Sequence, residues 1–588
     1  MTKIFRRSLF YSLSIFTTLL AMALVAQPFL ANDFTLLEFF LVLIFGVLIF
    51  GVSLSFWMAI IGFFVLLIGG DRKSITRITK VATENILNMA KPTALVMPIC
   101  NENPQRIFAG LRAIYESVLK TGFGQAFEIF VLSDTSDPIL RLQEEQLWFQ
   151  MREAFQAHGK IFYRNRTENI GRKSGNIAEF CQHWGGRYEF MILLDADSLM
   201  DGNTIVKMVN IMQAQPKVAI LQTPPLPVNQ KSLFGRIMQF ASCLYGQIYS
   251  AGAAFWQLSQ GNYWGHNAII RVEAFAAHAS LPKLPGEEPL GGEILSHDFV
   301  EAALLREAGW EIWLAYDIDG SYEEMPTNII DYAKRDRRWC QGNLQHIWFL
   351  FAKKMSLVSR LHLLMGVMSY LASPLWLVFL IITGIAAYEY GHLMPIYFAN
   401  NNPFPVWPIS YDIELVALLL VTLGMLFIPK FLSLLWLLCH PKQVKKFGGY
   451  LGVVTSVLLE CIFSTLLAPL LMLYRTKFVL AILLRQSIGW PAQQREEHGL
   501  SLKEAITAHG LQTLIGFAAL LCIYFFIPSF FWWFLPAVLG LILAIPLSMF
   551  VSSSSMGTIT RHWDLFCTPE ETCPPEVIRL FQEEMQKD

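Results

Sequence analysis

A chain of 588 residues that is 54% hydrophobic and only 15% charged falls well below the roughly 25% charged residues usual in soluble domains, which sets aside a wholly soluble protein and suits an integral membrane protein with one polar domain. With 45 basic and 46 acidic side chains the net charge is −1, so no global basic field recruits nucleic acid. Nine cysteines without a Cys-X-X-Cys pair argue against a zinc site or a disulfide framework and read as reduced, mostly buried thiols.

Lys3, Arg6 and Arg7 precede an apolar run that ends at Ala26. It imitates a secretory signal, but it is longer than a usual signal core and a second hydrophobic stretch follows at once, so a retained span over 8–26 is expected. Phe34 to Gly70 has the length of one very long helix or two short ones. Arg72, Lys73, Arg77 and Lys80 follow it. Placing both basic clusters on the cytoplasmic side requires an even number of crossings, hence one long helix, tilted or projecting beyond the lipid. Residues 1–87 then form two membrane helices and a linker, and the domain that follows is cytoplasmic.

From Thr93 the pattern changes. Thr93–Ile99, Glu128–Ser133, Ile161–Tyr163 and Glu189–Leu194 read as short buried strands separated by helical stretches, the pattern of a mostly parallel α/β sheet. This domain is assigned to residues 88–330, with an interfacial segment at 331–356. Membrane composition returns over 357–553, with spans expected near 362–387, 412–438, 507–527 and 529–552. Lys353, Lys354, Lys442, Lys445 and Lys446 mark the cytoplasmic side. Within 450–490, Glu460, Arg475, Lys477 and Arg485 interrupt the apolar run, which predicts an intramembrane hairpin, or a span plus an interfacial helix, starting and finishing on the cytoplasmic face. The 554–588 tail reads as polar, cytoplasmic and uninformative.

The polar stretch spaces four motifs: Leu132-Ser133-Asp134, Asp195-Ala196-Asp197, Ser296-His297-Asp298 and Arg335-Asp336-Arg337-Arg338-Trp339. That order suits an enzyme handling a nucleotide-sugar diphosphate, because ligands of such sheets bind at the carboxyl ends of the strands. Asp195 and Asp197 direct one carboxylate at the ribose and one at a divalent cation, Asp197 being the metal ligand and Mg²⁺ or Mn²⁺ the ion. Asp134 offers a carboxylate to a uracil imide or to ribose hydroxyls; an Asx turn is the plainer reading. Asn101 and Glu102 are further nucleotide candidates, with helix capping by Asn101 as the alternative. Lys173, in Gly171-Arg172-Lys173-Ser174-Gly175-Asn176, offers a point charge to phosphate at a helix start, against a solvated basic turn. Asp298 has the chemistry of a general base, and His297 reads as structural. Arg335 and Arg338 can clamp a leaving diphosphate and Trp339 can stack on a sugar acceptor. An anchor at the membrane surface is the alternative for that cluster, and both roles are compatible.

These residues resemble the membrane-integrated, inverting family 2 glycosyltransferases, the cellulose- and hyaluronan-synthase-like group. Asp134, Asp195 and Asp197, Asp298, and Arg338 with Trp339 stand at that family's early Asp, Asp-X-Asp, base and Gln-X-X-Arg-Trp motifs. His297 stands where the family has Glu, and Arg335 where it has Gln. Those departures, with Met97-Pro-Ile-Cys-Asn-Glu-Asn-Pro104 and Ser296-His-Asp-Phe-Val-Glu-Ala302, resemble the glucans biosynthesis glucosyltransferase H family. The resemblance implies a multi-pass α-helical membrane protein with a cytoplasmic α/β nucleotide-diphospho-sugar transferase (GT-A-like) domain, in the inner membrane of a Gram-negative bacterium. It implies UDP-glucose as donor, a growing β-1,2-linked glucan chain as product, contact with membrane lipids, and acyl carrier protein or periplasmic glucan-modifying proteins as partners. It puts Gln222 near the acceptor and Pro491–Glu497 at a gating loop. Against some relatives the chain would lack a long N-terminal extension and any regulation housed there. A non-processive transferase acting on a lipid carrier, and an inactive nucleotide-sugar sensor or transporter, stay open as alternatives.

Overall fold

Runs such as Phe127–Ser133, in which every residue is buried, have no solvent face to offer and must lie inside a sheet covered on both sides. In the computed structural model, which describes residues 2–29, 35–79, 91–392, 412–486 and 499–587, they do. The strands are β1 (Thr93–Ile99), β2 (Phe127–Ser133), β3 (Ile161–Asn165), β4 (Phe190–Leu193), β5 (Leu199–Met200), β6 (Val218–Gln222), β7 (Leu226–Pro227), β8 (Ala268–Arg271), β9 (Glu311–Leu314) and β10 (Ser321–Glu323). The main sheet runs β3-β2-β1-β4-β8-β6-β9, with β8 antiparallel to both its neighbours. A small sheet, β5-β10-β7, lies beside it. Because β1 stands between β2 and β4, the chain order reverses there, and the loops after β1, β2 and β4 gather at one crevice. The four strands legible in the sequence are β1 to β4.

Among the described residues, six helices are long and apolar enough to cross a membrane: Lys3–Ala26, Leu36–Leu67, Leu357–Glu389, Ile413–Leu438, Gly449–Leu483 and Leu502–Phe526. They fit a multi-pass membrane protein. Where a span was expected over 529–552, the chain forms a helix pair, Pro528–Ile542 and Ala544–Val551, bent by 60°. Pro546 lacks the N–H that would bond to the Ile542 carbonyl, so the helical ladder opens at the bend.

The start of the first helix and the turn just past the second meet each other and the sheet domain's side. Arg6 forms a buried two-point salt bridge with Asp71, and Arg7 donates to the Trp256 and Gln257 carbonyls. These carbonyls end the long helix Leu233–Gln257, hereafter the platform helix. Leu36–Leu67 crosses the platform helix backbone to backbone. A Cβ on Gly62 would lie 1.7 Å from the Ile248 carbonyl oxygen, and one on Gly252 would lie 1.9 Å from that of Met58.

Over its described residues, 450–486, the 450–490 region is neither a hairpin nor two helices. It is one continuous helix, Gly449–Leu483, and two of the charges that interrupt its sequence are paired within the protein. Glu460 accepts from Lys430 and from the Tyr245 hydroxyl, each at 2.9 Å, while Arg475 donates to Asp336 at 2.7 Å. Its ends rest on the tail and on the interfacial segment: Gly452 lies against the Asp564 carbonyl, and Val479 and Ile482 pack with Ala333 and Leu344. We call it the ledge helix.

The tail is not merely polar. Its helix Glu576–Met585 buries Val577, Ile578 and Phe581 in the core beneath the main sheet, closing one face of the Pro104–Lys120 helix. Alternating charges around an apolar stripe hid this in the sequence.

Candidate active site

The crevice begins with the loops after β1 and β2. Asn103, not Asn101, caps the Pro104–Lys120 helix, its side chain accepting from the Arg106 N–H. Asn101 adopts a left-handed conformation with φ of 60°, and its side-chain oxygen accepts from the N–H groups of Ser136 and Asp137. It therefore ties the β1 loop to the β2 loop. Glu102 folds back to accept from the Cys100 N–H.

Asp134 is buried and bound at both oxygens by Arg166, through Nε at 2.6 Å and Nη2 at 2.7 Å. This edge thus presents a locked Asp134–Arg166 pair rather than a solvated carboxylate. The loop is braced by Glu144, fully buried, which accepts from Ser133, Thr135 and Tyr163. Neither Arg166 nor Glu144 was singled out from the sequence. Arg166 was findable as the basic residue just past the strand that neighbours β2.

Lys173 sits in the first turn of the Arg172–His183 helix, entered through left-handed Gly171. Its ammonium bonds to the Asp195 carboxylate and to the Gly265 carbonyl at 2.8 Å. Gly265 in turn borders Asp298: a Cβ there would stand 3.4 Å from Oδ2. Lys173, Asp195 and Asp298 therefore share one small volume although 125 residues of sequence separate the first from the last. Asp298 opens the helix His297–Glu307. Burial holds its carboxyl above the ordinary carboxylate range; His297 and Lys173 oppose this and Glu301 adds to it. His297 is buried and bonds through Nδ1 to Glu301 at 2.9 Å. Burial works against its protonation, and the Glu301 carboxylate more than offsets that, so its pKa is raised.

Asp197 borders a narrow cleft with Ala196, Ser198, Arg106, Glu324 and Phe581, so the tail helix reaches the back of the Asp-X-Asp turn. On the other side, Glu323 in β10 feels the charges of His266, Asp197, Arg335 and Asp195, and burial raises its carboxyl above the ordinary range. The sequence reading missed Glu323, which joins the aspartate pair to Arg335. Arg335 is buried in the helix Ile329–Gln345, its guanidinium 4.5 Å from the centre of the Trp339 ring. Arg338 follows one turn on, half-buried, and Trp339 is 47% exposed.

Gln222, which the resemblance puts near the acceptor, is turned inward in this structure. It is fully buried: its amide nitrogen donates to the Thr223 and His266 carbonyls and its oxygen accepts from the Trp264 N–H. In this structure it holds the 264–267 loop, and its amide has no surface for an acceptor. Pro491–Glu497 lies outside the described residues.

Among the described residues, no three His, Cys, Asp or Glu side chains group to hold a metal unaided. Two half-exposed aspartates at a strand end nevertheless fit Mg²⁺, which takes one or two carboxylates and leaves its other positions to water and phosphate oxygens.

A doubly wound sheet with an aspartate pair, a lysine and a partly buried carboxylate at its switch point defines a nucleotide-sugar transferase domain. Family models bear this out: one described as glycosyl transferase family 2 matches residues 94–278, and one described as glycosyl transferase family group 2 matches 190–428. The chain carries a family 2 glycosyltransferase domain. It is homologous to proteins named glucans biosynthesis glucosyltransferase H, being 46% identical over 532 residues to that of Pseudomonas aeruginosa and 44% identical over 536 residues to that of Ralstonia nicotianae. These alignments cover 90% of this chain and 61% of the first relative, and 91% and 62% for the second, so the chain spans about three fifths of their length. Among solved structures, a mannosyltransferase from Pyrobaculum calidifontis in complex with GDP-Man and Mn²⁺ aligns over 67% of this chain and 99% of its own at 16% identity, with a TM-score of 0.39.

Proposed function

We propose that this protein is an inverting, processive glucosyltransferase that uses UDP-glucose to extend a β-1,2-linked glucan at the cytoplasmic face of a bacterial inner membrane and passes the chain across it. The observation that carries this reading is the convergence of Lys173, Asp195 and Asp298 around Gly265, beside a helix that bears Arg335, Arg338 and Trp339 and is bonded to the membrane region.

In this reading the Asp134–Arg166 pair meets the nucleotide, and Asp195 with Lys173 meets the ribose and diphosphate. Asp298 accepts the proton of the acceptor hydroxyl. The acceptor oxygen attacks the anomeric carbon as the bond to the diphosphate oxygen breaks, its electron pair leaving with UDP, and the α-linked donor becomes a β-linked product. A carboxyl held above its ordinary range is a better proton acceptor for this step than a fully solvated one. Arg335 and Arg338, with Lys173, balance the charge that builds on the departing UDP. Asp197 would hold Mg²⁺ or Mn²⁺, which supplies further charge neutralisation at the diphosphate. Trp339 presents an exposed ring for the sugar at the chain end.

The test is incubation of the protein in detergent with radiolabelled UDP-glucose and Mg²⁺, followed by sizing and linkage analysis. A water-soluble β-1,2-linked polymer is expected. A single sugar recovered on lipid would replace processive synthesis with transfer to a lipid carrier, and UDP-glucose binding without UDP release would reject the enzyme altogether.

A further inference from the structure

Asp298 stands at the end of an irregular loop, and what fixes that loop is the far half of the arginine-bearing helix Ile329–Gln345. Gln341 donates to the Pro289 carbonyl at 3.1 Å. Gln345 accepts from the Leu295 N–H at 2.9 Å and donates to the carbonyls of Gly291 at 3.3 Å and Glu293 at 3.0 Å. His346, just past the helix, bonds through Nε2 to the Ser296 carbonyl at 2.9 Å. All three side chains are buried to within 1% of full coverage. Burial lowers the His346 pKa to about 4, so the ring is neutral and Nε2 carries the proton it donates. Between them the helix touches the loop directly, since a Cβ on Gly342 would lie 2.3 Å from the Ser296 hydroxyl.

An unmade bond is costly to a buried polar group; both ends of the Gln345 amide are bonded to loop backbone, whereas Gln341 Oε1 and His346 Nδ1 have no hydrogen-bond partner, and together the bonds run from residue 289 to the residue two before Asp298. The first half of the same helix carries Arg335, Arg338 and Trp339. We infer that Gln345, with Gln341 and His346, is a positioning residue for Asp298, making the base and the Arg335–Trp339 group one rigid body. This inference rests on the transferase reading for its kinetic consequences but not for its structural one.

Gln345→Met keeps the side-chain length and removes all three of its bonds. A displacement of the base by about 1 Å is expected to lower kcat by about 100-fold, with the KM for UDP-glucose and the affinity for UDP within about threefold of wild type. The acid limb of the kcat profile should move as Asp298 shifts against His297, Glu301 and Lys173. Hydrogen exchange in the full-length protein should quicken over 289–298 and stay unchanged elsewhere in the sheet domain. Unchanged kcat with unchanged exchange over 289–298 overturns the inference. So does a joint fall of kcat, UDP affinity and exchange protection across the whole sheet, which marks a merely structural residue. If Gln345→Met does not fold, His346→Phe removes only the bond to Ser296 and keeps the ring against Phe299. If the wild-type protein releases no UDP from UDP-glucose, the proposed function falls, while the exchange pattern still decides the positioning role.

Discussion

Arg475 of the ledge helix donates to Asp336 through Nε at 2.7 Å, and the Tyr370 hydroxyl gives the same carboxylate a hydrogen bond at 3.0 Å. Asp336 lies inside the Arg-Asp-Arg-Arg-Trp segment, yet it faces the membrane helices while Arg335 feels the charge of Glu323 in the crevice. One helix thus presents successive residues to opposite partners, as its 100° turn per residue requires. Removing Asp336 leaves a largely covered guanidinium unmatched. Breaking a buried pair costs about 3–5 kcal/mol, and because Arg475 keeps some exposure, Asp336→Ala should sit at the low end, about 3 kcal/mol. Thermal unfolding in detergent measures it. Asp336→Asn combined with Arg475→Gln should recover part of the loss, and a double variant no more stable than the single one would show the pair to be uncoupled.

Asp298→Asn should abolish glucose transfer and leave UDP binding nearly intact. The substitution keeps size and hydrogen-bonding reach but removes the site that accepts a proton. Titration with UDP alongside a transfer assay decides the matter. A fall in UDP affinity as large as the fall in turnover would make Asp298 a binding residue instead.

The pH dependence follows with two opposite signs. With Asp298 as the proposed base, kcat/KM should rise with pH through the raised carboxyl pKa, with its acid limb above the ordinary aspartate range. Stability runs the other way. A carboxyl whose folded pKa is raised binds its proton more tightly folded than unfolded, so its contribution is present below the ordinary pKa and lost as pH climbs through the raised one. Relative to wild type, Asp298→Asn should therefore gain stability as pH rises across that window. Melting temperatures of both proteins at several pH values would reveal a constant gap if Asp298 were unperturbed.

Lys173→Met should weaken both binding and turnover. The ammonium is the link between Asp195 and the Gly265 loop that borders Asp298, and methionine fills its volume without its charge. Charge-assisted bonds of this kind contribute about 1.5–3 kcal/mol, which translates to roughly a 10- to 100-fold loss in kcat/KM for the donor. Lys173→Arg should restore little, since a planar fork does not replace a point charge in so small a volume. Full activity in Lys173→Met would reduce it to a surface turn.

Much of this architecture was readable without coordinates where one physical signal dominated. Strands β1 to β4 announce themselves as short apolar runs between helical stretches. Asp134, Asp195 and Asp298 are legible as carboxylates following or between such elements. What escaped was what depends on partners distant in sequence. Arg166 looks like any loop arginine until Asp134 is seen between its nitrogens. Glu323 carries no motif, and only the small β5-β10-β7 sheet brings it to the aspartates. Glu460 and Arg475 read as interruptions because a window of sequence cannot know that Lys430 and Asp336 await them. Gln222 was placed near the acceptor by family resemblance alone, which does not reveal that the loop leading into the antiparallel β8 folds over it. The tail helix hid for a similar reason, its apolar stripe of Val577, Ile578 and Phe581 being short and flanked by charge.

That tail helix carries the last prediction. Phe581 is buried in the core beneath the sheet, Arg106 lies over its ring at 5.6 Å, and the ring lines the cleft behind Asp197. Arg106 in turn donates through Nε and Nη2 to Glu324, the residue that follows Glu323 just past β10. Truncating a core phenylalanine costs about 3–5 kcal/mol, and at the edge of the domain Phe581→Ala should cost about 3 kcal/mol. The loss should not be confined to stability, because the cleft would open next to the Asp-X-Asp turn. The KM for the nucleotide sugar should rise severalfold at a temperature where the variant is still folded, with kcat less affected. Phe581→Leu, which refills most of the volume, should restore both. A variant destabilised as expected but with an unchanged KM would separate the tail from the donor site and leave it a role in the core alone.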